Sequence, residues 1–580
     1  MSKQKKLKLV LCWHMHQPDY RHHVSGEFAL PWTYLHAIKD YTDMAYHLEQ
    51  APQAHAVVNF VPVLLDQLED YTEQFASRSL RDPLLRLLAA KDLEHVTPEQ
   101  RKLILDSCFR CNHSKMVEPY PAYKRLHDLY KIHEAHGADH YQYLSGQYLA
   151  DLLVWYHLSW TGESVRRENE QVVAMMSKGA MFTLKDRQNL VELIGKLISN
   201  IIPRYRKLAQ SGQVELSSTP YYHPIAPLML DFSSAQESAP GMEMPLSPQY
   251  PGGASRIAFH IAEAVTKHEK CFGMKPVGMW PAEGGVSQAS ALLMAKQGVQ
   301  WIATGQAVLA NSLRHAQRDA VLDNPLNYLY RPYRISHEGD QVACFFRDDG
   351  LSDMIGFEYA NWFGLDAVHN FVAKLENIWR HGSSENPVVS IILDGENAWE
   401  YYPYNGFYFL SELYQILENH PHIETTTFSE YIAHCQEEAM SAHPELHACA
   451  DSRDLSHLVA GSWVYGNFST WIGCPEKNRA WDLLCQAKQT YDLVMGSGRL
   501  NPEQRIKAER QLAACEGSDW FWWFGDYNPG DSVRSFDNLY RENLADLYRH
   551  LLLVPPVELD VPISHGGGHA EVGGAMRRAS

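Results

Sequence analysis

Short apolar runs, bounded by Gly, Pro or polar residues, alternate with stretches of helical period over most of the chain. Leu7–Trp13, Val57–Val61, Val214–Leu216, Val277–Trp280, Val299–Ala303, Tyr328–Ile335, Val342–Phe346 and Val388–Leu393 are too short for helices and read as buried strands. Between them, Leu64–Phe75, Thr183–Ile202, Ala254–His268, Ser287–Gln297, Leu365–Trp379 and the stretch around Phe407–Leu417 read as helices. In Thr183–Ile202, Leu190, Val191, Leu193, Ile194, Leu197, Ile198 and Ile201 recur at helical spacing, and Thr183-x-x-Asp186 resembles a capping box. Leu152–His157 is a further apolar run, leading to Trp160. Strands alternating with helices predict an α/β fold, a barrel or a doubly wound sheet.

Two segments break the rhythm. Residues near 78–146 are mixed, polar and helix-leaning, and read as an insertion between barrel elements. After about residue 434 strand signals fade, and Glu476–Val494, Pro502–Cys515 and Ser535–Leu552 read as helices behind an aromatic loop, Gly461–Trp471. The expected organisation is a catalytic domain over 1–434, a helical domain over 435–556 that contributes to the active site, and a tail over 557–580. That tail turns rich in Gly, His, Ala and Arg from Ser564 and is expected to lack structure.

Composition narrows the function classes. The chain has 580 residues and a net charge of −18, which disfavours nucleic acid and anionic membranes as partners. No run approaches the ~18 apolar residues of a membrane span. Leu7–Trp13 is too short for the apolar region of a signal peptide, so the expected location is the cytoplasm, with reduced thiols. Aromatic residues make up 11% of the chain, with 15 Trp and 31 Tyr, a supply that suits a carbohydrate binder as well as a large core. Of the 10 Cys, Cys108 and Cys111 with His113 resemble half a zinc site. The other half is missing, so they read as buried or bystander thiols. Oligomeric state leaves no trace in the sequence.

Five stretches at strand ends or loops carry candidate chemistry. In Trp13-His14-Met15-His16-Gln17-Pro18, alternate strand residues His14 and His16 share a face; they suit either half a metal site or hydrogen bonds to sugar hydroxyls. In Gly212–Met229, Glu215 precedes a loop with Tyr221, Tyr222 and His223. In Gly278–Ser287, Glu283 follows the ring of Trp280 and precedes two glycines that relax the turn. In Val388–Tyr402, Asp394 ends a strand, with Glu396, Trp399, Glu400, Tyr401 and Tyr402 behind it. In Ala514–Asn528, Trp520-Phe521-Trp522-Trp523-Phe524 is flanked by Glu516, Asp519 and Asp526. Barrel strands converge at their carboxyl ends, so Glu283 and Asp394 could meet. A glycosidase needs such a pair, ~5–5.5 Å apart in retaining enzymes and ~6.5–9.5 Å in inverting ones.

Taken in order, these motifs resemble glycoside hydrolase family 57, the retaining α-glucan-active family of α-amylases, amylopullulanases, 4-α-glucanotransferases and branching enzymes. The matching regions are His16–Pro18, Gly212–Glu215, Trp280–Glu283, Leu393–Asn397 and Glu516–Trp523. The resemblance covers roughly 10–550. It implies an incomplete (β/α)7 barrel followed by a C-terminal helical domain, Glu283 as nucleophile, Asp394 as general acid/base, and His16, Glu215, Asp519 and Trp520 in the substrate cleft. His14, His223, Trp280, Glu396 and Trp399 are added as binding candidates from their positions. No metal or other cofactor is implied, and the partner is an α-glucan or maltooligosaccharide. The Asp-Gly-Glu-Asn and Asp-Trp-Phe-Trp-Trp versions look most like the α-amylase and amylopullulanase branch, which points to α-1,4 and also α-1,6 bonds. Gly284-Gly285 departs from many relatives and bears on subsite shape. The rival readings are a 4-α-glucanotransferase using the same intermediate, a metal-dependent α-mannosidase-like hydrolase built on His14 and His16, and a non-catalytic glycan-binding protein.

Overall fold

The computed structural model describes residues 6–442, 453–568, Met576 and Arg578. Its strands are β1 (Leu7–Met15), β2 (Ala56–Phe60), β3 (Val214–Ser218), β4 (Gly278–Met279), β5 (Trp301–Gly305), β6 (Tyr333–His337), β7 (Asp340–Arg347), β8 (Val388–Asp394), β9 (Ile423–Thr425) and β10 (Arg453–Asp454). Seven of them, β1, β2, β3, β4, β5, β7 and β8, pair in parallel in that order. β8 also pairs with β1, and the pairing of Arg347 with Ser390 closes the ring between β7 and β8. The fold is a seven-stranded parallel barrel wrapped by helices, with a helical region after it. β6 forms a hairpin with β7, β9 adds to the amino end of β1, and β10 extends β6.

Side chains alternate between the barrel interior and the helical layer, as strand geometry requires. Val10, Cys12, Val57, Trp301, Ala303, Phe345, Val388 and Ile392 fill the interior. Its amino-terminal end is plugged by the helix Phe428–Ala442, whose Phe428 packs on Trp301 and Phe345 with ring centroids 4.4 and 4.5 Å apart. That plug leaves the carboxyl ends as the open end. Leu9, Leu11 and Trp13 face the helical layer in the larger core.

Several elements differ from the sequence expectation, each for a local reason. The helix beginning with the Thr183–Asp186 capping box runs from Leu184 to Gln210, straight through Pro203. An interior proline costs about 3 kcal/mol, but Ile198, Ile201, Tyr205 and Leu208 continue its buried face on both sides. Leu152–His157 lies in the helix Gly146–Ser159, buried nearly all round, so no polar face marks its period. Tyr328–Ile335 is strand only from Tyr333, because Pro332 cannot donate to a ladder. The insertion is a set of short capped helices, among them Pro83–Ala89 behind Asp82 and Pro98–Ser107 behind a Thr97–Gln100 capping box. Cys108 is buried and Cys111 nearly so, and burial pushes both thiols well up, as suits inert core groups.

The tail is a correction as far as residue 568. Val557–Asp560 forms a helical turn, Ile563 and Ser564 donate backbone N–H to Asp537, and Gly567 and Gly568 donate to the Asn528 carbonyl. A backbone taken up by polar partners does not need a hydrophobic sequence. Residues 569–580 lie outside the described ones, apart from Met576 and Arg578.

The helical region packs Pro475–Gly496, Pro502–Cys515 and Gly530–His550 together. It is tied to the barrel layer by a buried ionic cluster. Glu516 accepts two hydrogen bonds of 2.8 Å from Arg256 and lies 2.7 Å from His260 Nε2, with the Tyr250 hydroxyl also donating.

Candidate active site

At the carboxyl ends of the strands opens a cavity of about 380 Å³. β1 brings His14 to its wall and the residues after it bring His16. The loop after β3 brings His223, the turn after β4 Glu283, the end of β7 Arg347, and the end of β8 Asp394 and then Glu396. Trp463, Asp519, Trp522 and Trp523 close it from the region after the barrel.

Glu283 is held in a left-handed backbone conformation with φ 58°, and His223 in another with φ 61°. Such conformations cost about 1–3 kcal/mol each in a non-glycine residue and persist only where the surroundings over-determine them. The restraints at Glu283 are visible. Trp463 donates its backbone N–H to the Glu283 carbonyl (3.2 Å) and its indole N–H to Glu283 Oε2 (3.1 Å). Thr304 donates to the Gly284 carbonyl. Gly284 has φ 57°, and a Cβ there would meet the Trp280 ring at 2.9 Å. Gly284 therefore serves close packing on Trp280 behind the turn, whereas a Cβ on Gly285 would meet the Ala282 carbonyl at 2.9 Å. His223 Nδ1 lies 3.8 Å from Glu283 Oε1 and 2.8 Å from Ser518 Oγ.

Asp394 stands opposite His14 in the β1–β8 ladder and accepts a hydrogen bond from Asn397 Nδ2 (2.9 Å). Burial pushes its carboxyl above the usual range, against the Asn397 hydrogen bond and the nearby His16 and Arg347. Burial is thus the leading cause, rather than the repulsion from Glu283 that a carboxylate pair suggests. Glu396 is raised further, by burial and then by Asp394 and Asp40. Its Oε1 accepts from the His16 backbone N–H (3.3 Å) and Gln17 Nε2 (3.4 Å), and its buried Oε2 has no partner among the described residues. Removing the Asn397 hydrogen bond takes away a group that favours the charged form of Asp394. Asn397→Ala is expected to move the alkaline limb of the kcat/KM profile to higher pH, and a limb that stays or moves down would show that Asp394 is not the titrating acid.

The three histidines stack in sequence. Ring centroids of His14 and His223 lie 5.2 Å apart, and those of His16 and His223 4.0 Å apart at 23°. Burial, then the neighbouring His16, pushes His14 down to about 3; burial and both neighbours push His223 well below its ordinary value. Both imidazoles are neutral near pH 7. The tautomer of His14 follows from its partner. Asn59 donates its amide to the Ser218 carbonyl (2.7 Å), so its oxygen faces His14 Nδ1 at 2.7 Å and Nδ1 carries the proton. Nε2 of His14 is therefore an acceptor. His16 Nε2 lies 2.8 Å from Asp519 Oδ1.

Among the described residues, one group of His, Cys and acidic side chains is close enough to hold a metal ion: His16, His223 and Asp519, with ligand atoms within 4.8 Å of one another. It is not the His14–His16 pair the sequence suggests. Ligand lone pairs lie in the imidazole plane, so two rings stacked face to face send them side by side rather than toward one point. The arrangement suits hydroxyl recognition better than coordination.

Four of the binding residues expected from the sequence are placed elsewhere. Glu215 faces the barrel interior but at its amino end, where it accepts from Trp301 Nε1 (2.7 Å) and from the backbone N–H and hydroxyl of Ser429. It secures the plugging helix and does not reach the cavity. Trp280 is fully buried behind Glu283, edge-on to Trp463 at 5.3 Å. Trp399 is buried against Trp13 and Tyr402. Trp520 is buried against Tyr540 and donates to the Ala514 carbonyl. Each is an indole whose face is spent in the core. His14, His16, His223, Glu283, Asp394, Glu396 and Asp519 do line the cavity, as do Glu400 and Tyr401.

Arg347 was missed, while Asn397, Trp463, Trp522 and Trp523 lie in stretches the sequence singles out without being picked as site residues. Arg347 lies one residue beyond the strand Val342–Phe346 read from the sequence and ends the observed strand, and a place next to a strand end is the signal that could have found it. It is paired with Asp349 and Asp353 and lies over the Trp463 ring at 5.3 Å. Trp522 and Trp523 fall on the opposite face of the short helix Asp519–Trp523 from Trp520 and Phe521.

Carboxyl groups of unlike environment facing one cleft among indoles are the equipment of a carbohydrate-active enzyme on a seven-stranded barrel. Residues 10–444 match the family model of glycosyl hydrolase family 57, and the chain belongs to that family. Its enzymes act on α-glucans. A search of curated proteins finds no sequence match. Among solved structures, the chain is similar to a family 57 branching enzyme from Thermococcus kodakaraensis, at 15% identity and TM-score 0.54, covering 94% of this chain and 90% of that one. It is similar also to the α-amylase AmyC from Thermotoga maritima, at 14% and 0.53, covering 94% of each chain. A third is the 4-α-glucanotransferase from Thermococcus litoralis, at 13% and 0.50, covering 94% of this chain and 60% of that one. At these identities the likeness is one of fold. No helix among the described residues is long and apolar enough to cross a membrane.

Proposed function

We propose that the protein is a retaining α-glucan hydrolase of the α-amylase type, cleaving α-1,4 bonds, in which Glu283 is the nucleophile and Asp394 the general acid/base. The carrying observation is the contrast between the two carboxyl groups on one cavity. Glu283 accepts the Trp463 indole N–H, a bond that suits a carboxylate. Desolvation pushes the Asp394 carboxyl above its usual range. A carboxylate that accepts a hydrogen bond suits a nucleophile, and a carboxyl pushed up by desolvation suits an acid. Glu283 attacks the anomeric carbon while the proton of Asp394 passes to the departing glycosidic oxygen. Asp394, now a carboxylate, takes a proton from water as that water displaces Glu283, and the sugar leaves with its α configuration.

His14 Nε2 is placed to bond a sugar hydroxyl, and Trp522 and Trp523 line the cavity where sugar rings would stack. In this reading residues 1–434 form the catalytic unit, 435–556 add Asp519 to its cleft, and the enzyme works in the cytoplasm. A second reading, transfer of the glucan to a sugar hydroxyl in place of water, draws support from the indoles Trp32, Trp463, Trp522 and Trp523 that line the cavity and could take an acceptor sugar beside the donor.

Incubation with maltoheptaose separates the two. The expected result is shorter products with α-anomeric ends; chains longer than the substrate would establish transfer. Release of maltotriose from pullulan would add α-1,6 cleavage. No change in either glucan would overturn the proposal.

A further inference from the structure

Four of the six largely exposed Tyr, Trp and Phe side chains among the described residues lie in one patch outside the cavity. Trp362 is 43% exposed, Phe363 73%, Tyr404 56% and Tyr408 49%. The other two, Tyr143 and Tyr465, are elsewhere on the chain. The patch is contiguous. Trp362 packs edge-on against Tyr359 (5.4 Å), Tyr404 edge-on against Tyr408 (5.6 Å), and Gly364 lies against the backbone of Tyr408 and Phe409.

The patch is built, not left over. Tyr404 and Asn405 both have left-handed backbones, φ 53° and 55°. Asn405 is buried and donates to Asp43 (2.9 Å), and a Cβ on the following Gly406 would strike Trp399 at 2.8 Å. This pinned turn rotates Tyr404 into solvent, where an aromatic ring gains nothing for stability. Tyr408 is steadied by Arg167, whose guanidinium lies 5.0 Å from its ring and donates to its hydroxyl (3.0 Å).

Both segments that carry the patch start in the cavity wall. Gly356 and Phe357 line the cavity and lead to Trp362 and Phe363; Glu400 and Tyr401 line it and lead to Tyr404 and Tyr408. The patch thus adjoins the cavity wall through two chain segments. The exposed aromatic area is on the order of 500 Å², below the ~800 Å² per partner of a standard protein interface but ample for a few sugar rings. Exposed aromatic patches of this kind mark binding sites, and the rings alternate with hydroxyl and guanidinium groups suited to a polyol.

We propose that Trp362, Phe363, Tyr404 and Tyr408 form a second glucan-binding surface that holds a polymeric chain beside the cleft; the inference rests on the α-glucan reading of the site. A chain bound at both places gains effective concentration, whereas an oligosaccharide too short to span them gains nothing.

The test is the variant Tyr404→Ala/Tyr408→Ala, with Trp362→Ala/Phe363→Ala as an independent second pair. KM for glycogen is expected to rise about fivefold or more, with kcat/KM on maltoheptaose within about twofold of the parent. Retardation in native gels containing glycogen is expected to weaken in parallel, and this readout needs no turnover. Unchanged glycogen KM and unchanged retardation in both pairs would overturn the inference. So would equal losses on glycogen and maltoheptaose, which would place these rings in the active site, or a dimer that dissociates in the variants, which would make the patch a contact between copies. Parent protein inactive on both glucans would sink the catalytic reading, while gel retardation would still decide this one.

Discussion

Glu283→Gln is expected to lower kcat/KM on maltoheptaose by about 10⁴-fold or more, the scale on which loss of a nucleophile is felt. The amide is nearly isosteric and its oxygen can still accept the Trp463 indole N–H, so the strained turn keeps its restraint and the melting temperature stays within a degree or two of the parent. What is lost is a lone pair able to attack carbon. Asp394→Asn is expected to be severe too, but selectively so. With α-glucosyl fluoride the leaving group needs no proton, so formation of the glycosyl-enzyme is spared relative to maltoheptaose. Glu283→Gln is impaired on both substrates alike. A Glu283→Gln protein that keeps more than a few percent of parental turnover, or an Asp394→Asn protein equally impaired on fluoride and maltoheptaose, would overturn the assignment of roles.

The largest expected effect on stability is at Glu516→Gln. Burial works against the charge of Glu516, but the Arg256 guanidinium, His260 and their hydrogen bonds hold its carboxyl down to about 2. Its folded value lies below the unfolded one, so its contribution to stability is complete above about pH 4.5 and is lost as pH falls through 4.5 toward 2. The amide removes that contribution at every pH and leaves Arg256 buried without its counter-charge, a change that costs about 3–5 kcal/mol. A fall of about 3–4 °C in melting temperature at pH 7 is expected, with the gap between parent and variant narrowing below pH 4. As a control, Glu503 pairs with Lys507 on an exposed surface, and Glu503→Gln is expected to leave the midpoint unchanged. The cluster joins the helical region to Arg256 and His260, and that region carries Asp519, Trp522 and Trp523. Glu516→Gln should therefore also weaken maltoheptaose binding; a midpoint unchanged at pH 7 would show that the cluster does not hold the two parts together.

The barrel was legible because its strands are buried on both faces, so β1, β5 and β8 read as apolar runs and their ends as the places where a carboxylate or histidine interrupts the run. The capping box at Thr183 marked a helix start by local hydrogen bonding alone; those at Thr97 and Asn501 emerged with the structure. Glu283 and Asp394 were found the same way, each at or just beyond a strand end, and the family resemblance supplied their expected roles. Short pieces escaped: β9 and β10 span three and two residues, below any period.

Which aromatic ring is available to a sugar was beyond the sequence. Trp280, Trp399 and Trp520 are the same residue type as Trp463, Trp522 and Trp523, in equally aromatic surroundings, and only packing separates those with a face toward the cavity from those buried behind it. Glu215 shows the same limit along a strand. Its place on an interior face follows from alternation, but whether it serves the cleft or the plug depends on the helix Phe428–Ala442, which arrives from more than two hundred residues away. The sequence by itself determined the main alternation of strands and helices and marked Glu283 and Asp394 as candidates, because those follow from hydrophobic period and from position at strand ends. The tertiary structure alone decided how the groups are tuned: burial raises Asp394, burial and then the neighbouring imidazoles keep His14 and His223 neutral, and Trp463 and Asp519 come from beyond the barrel to complete the cleft.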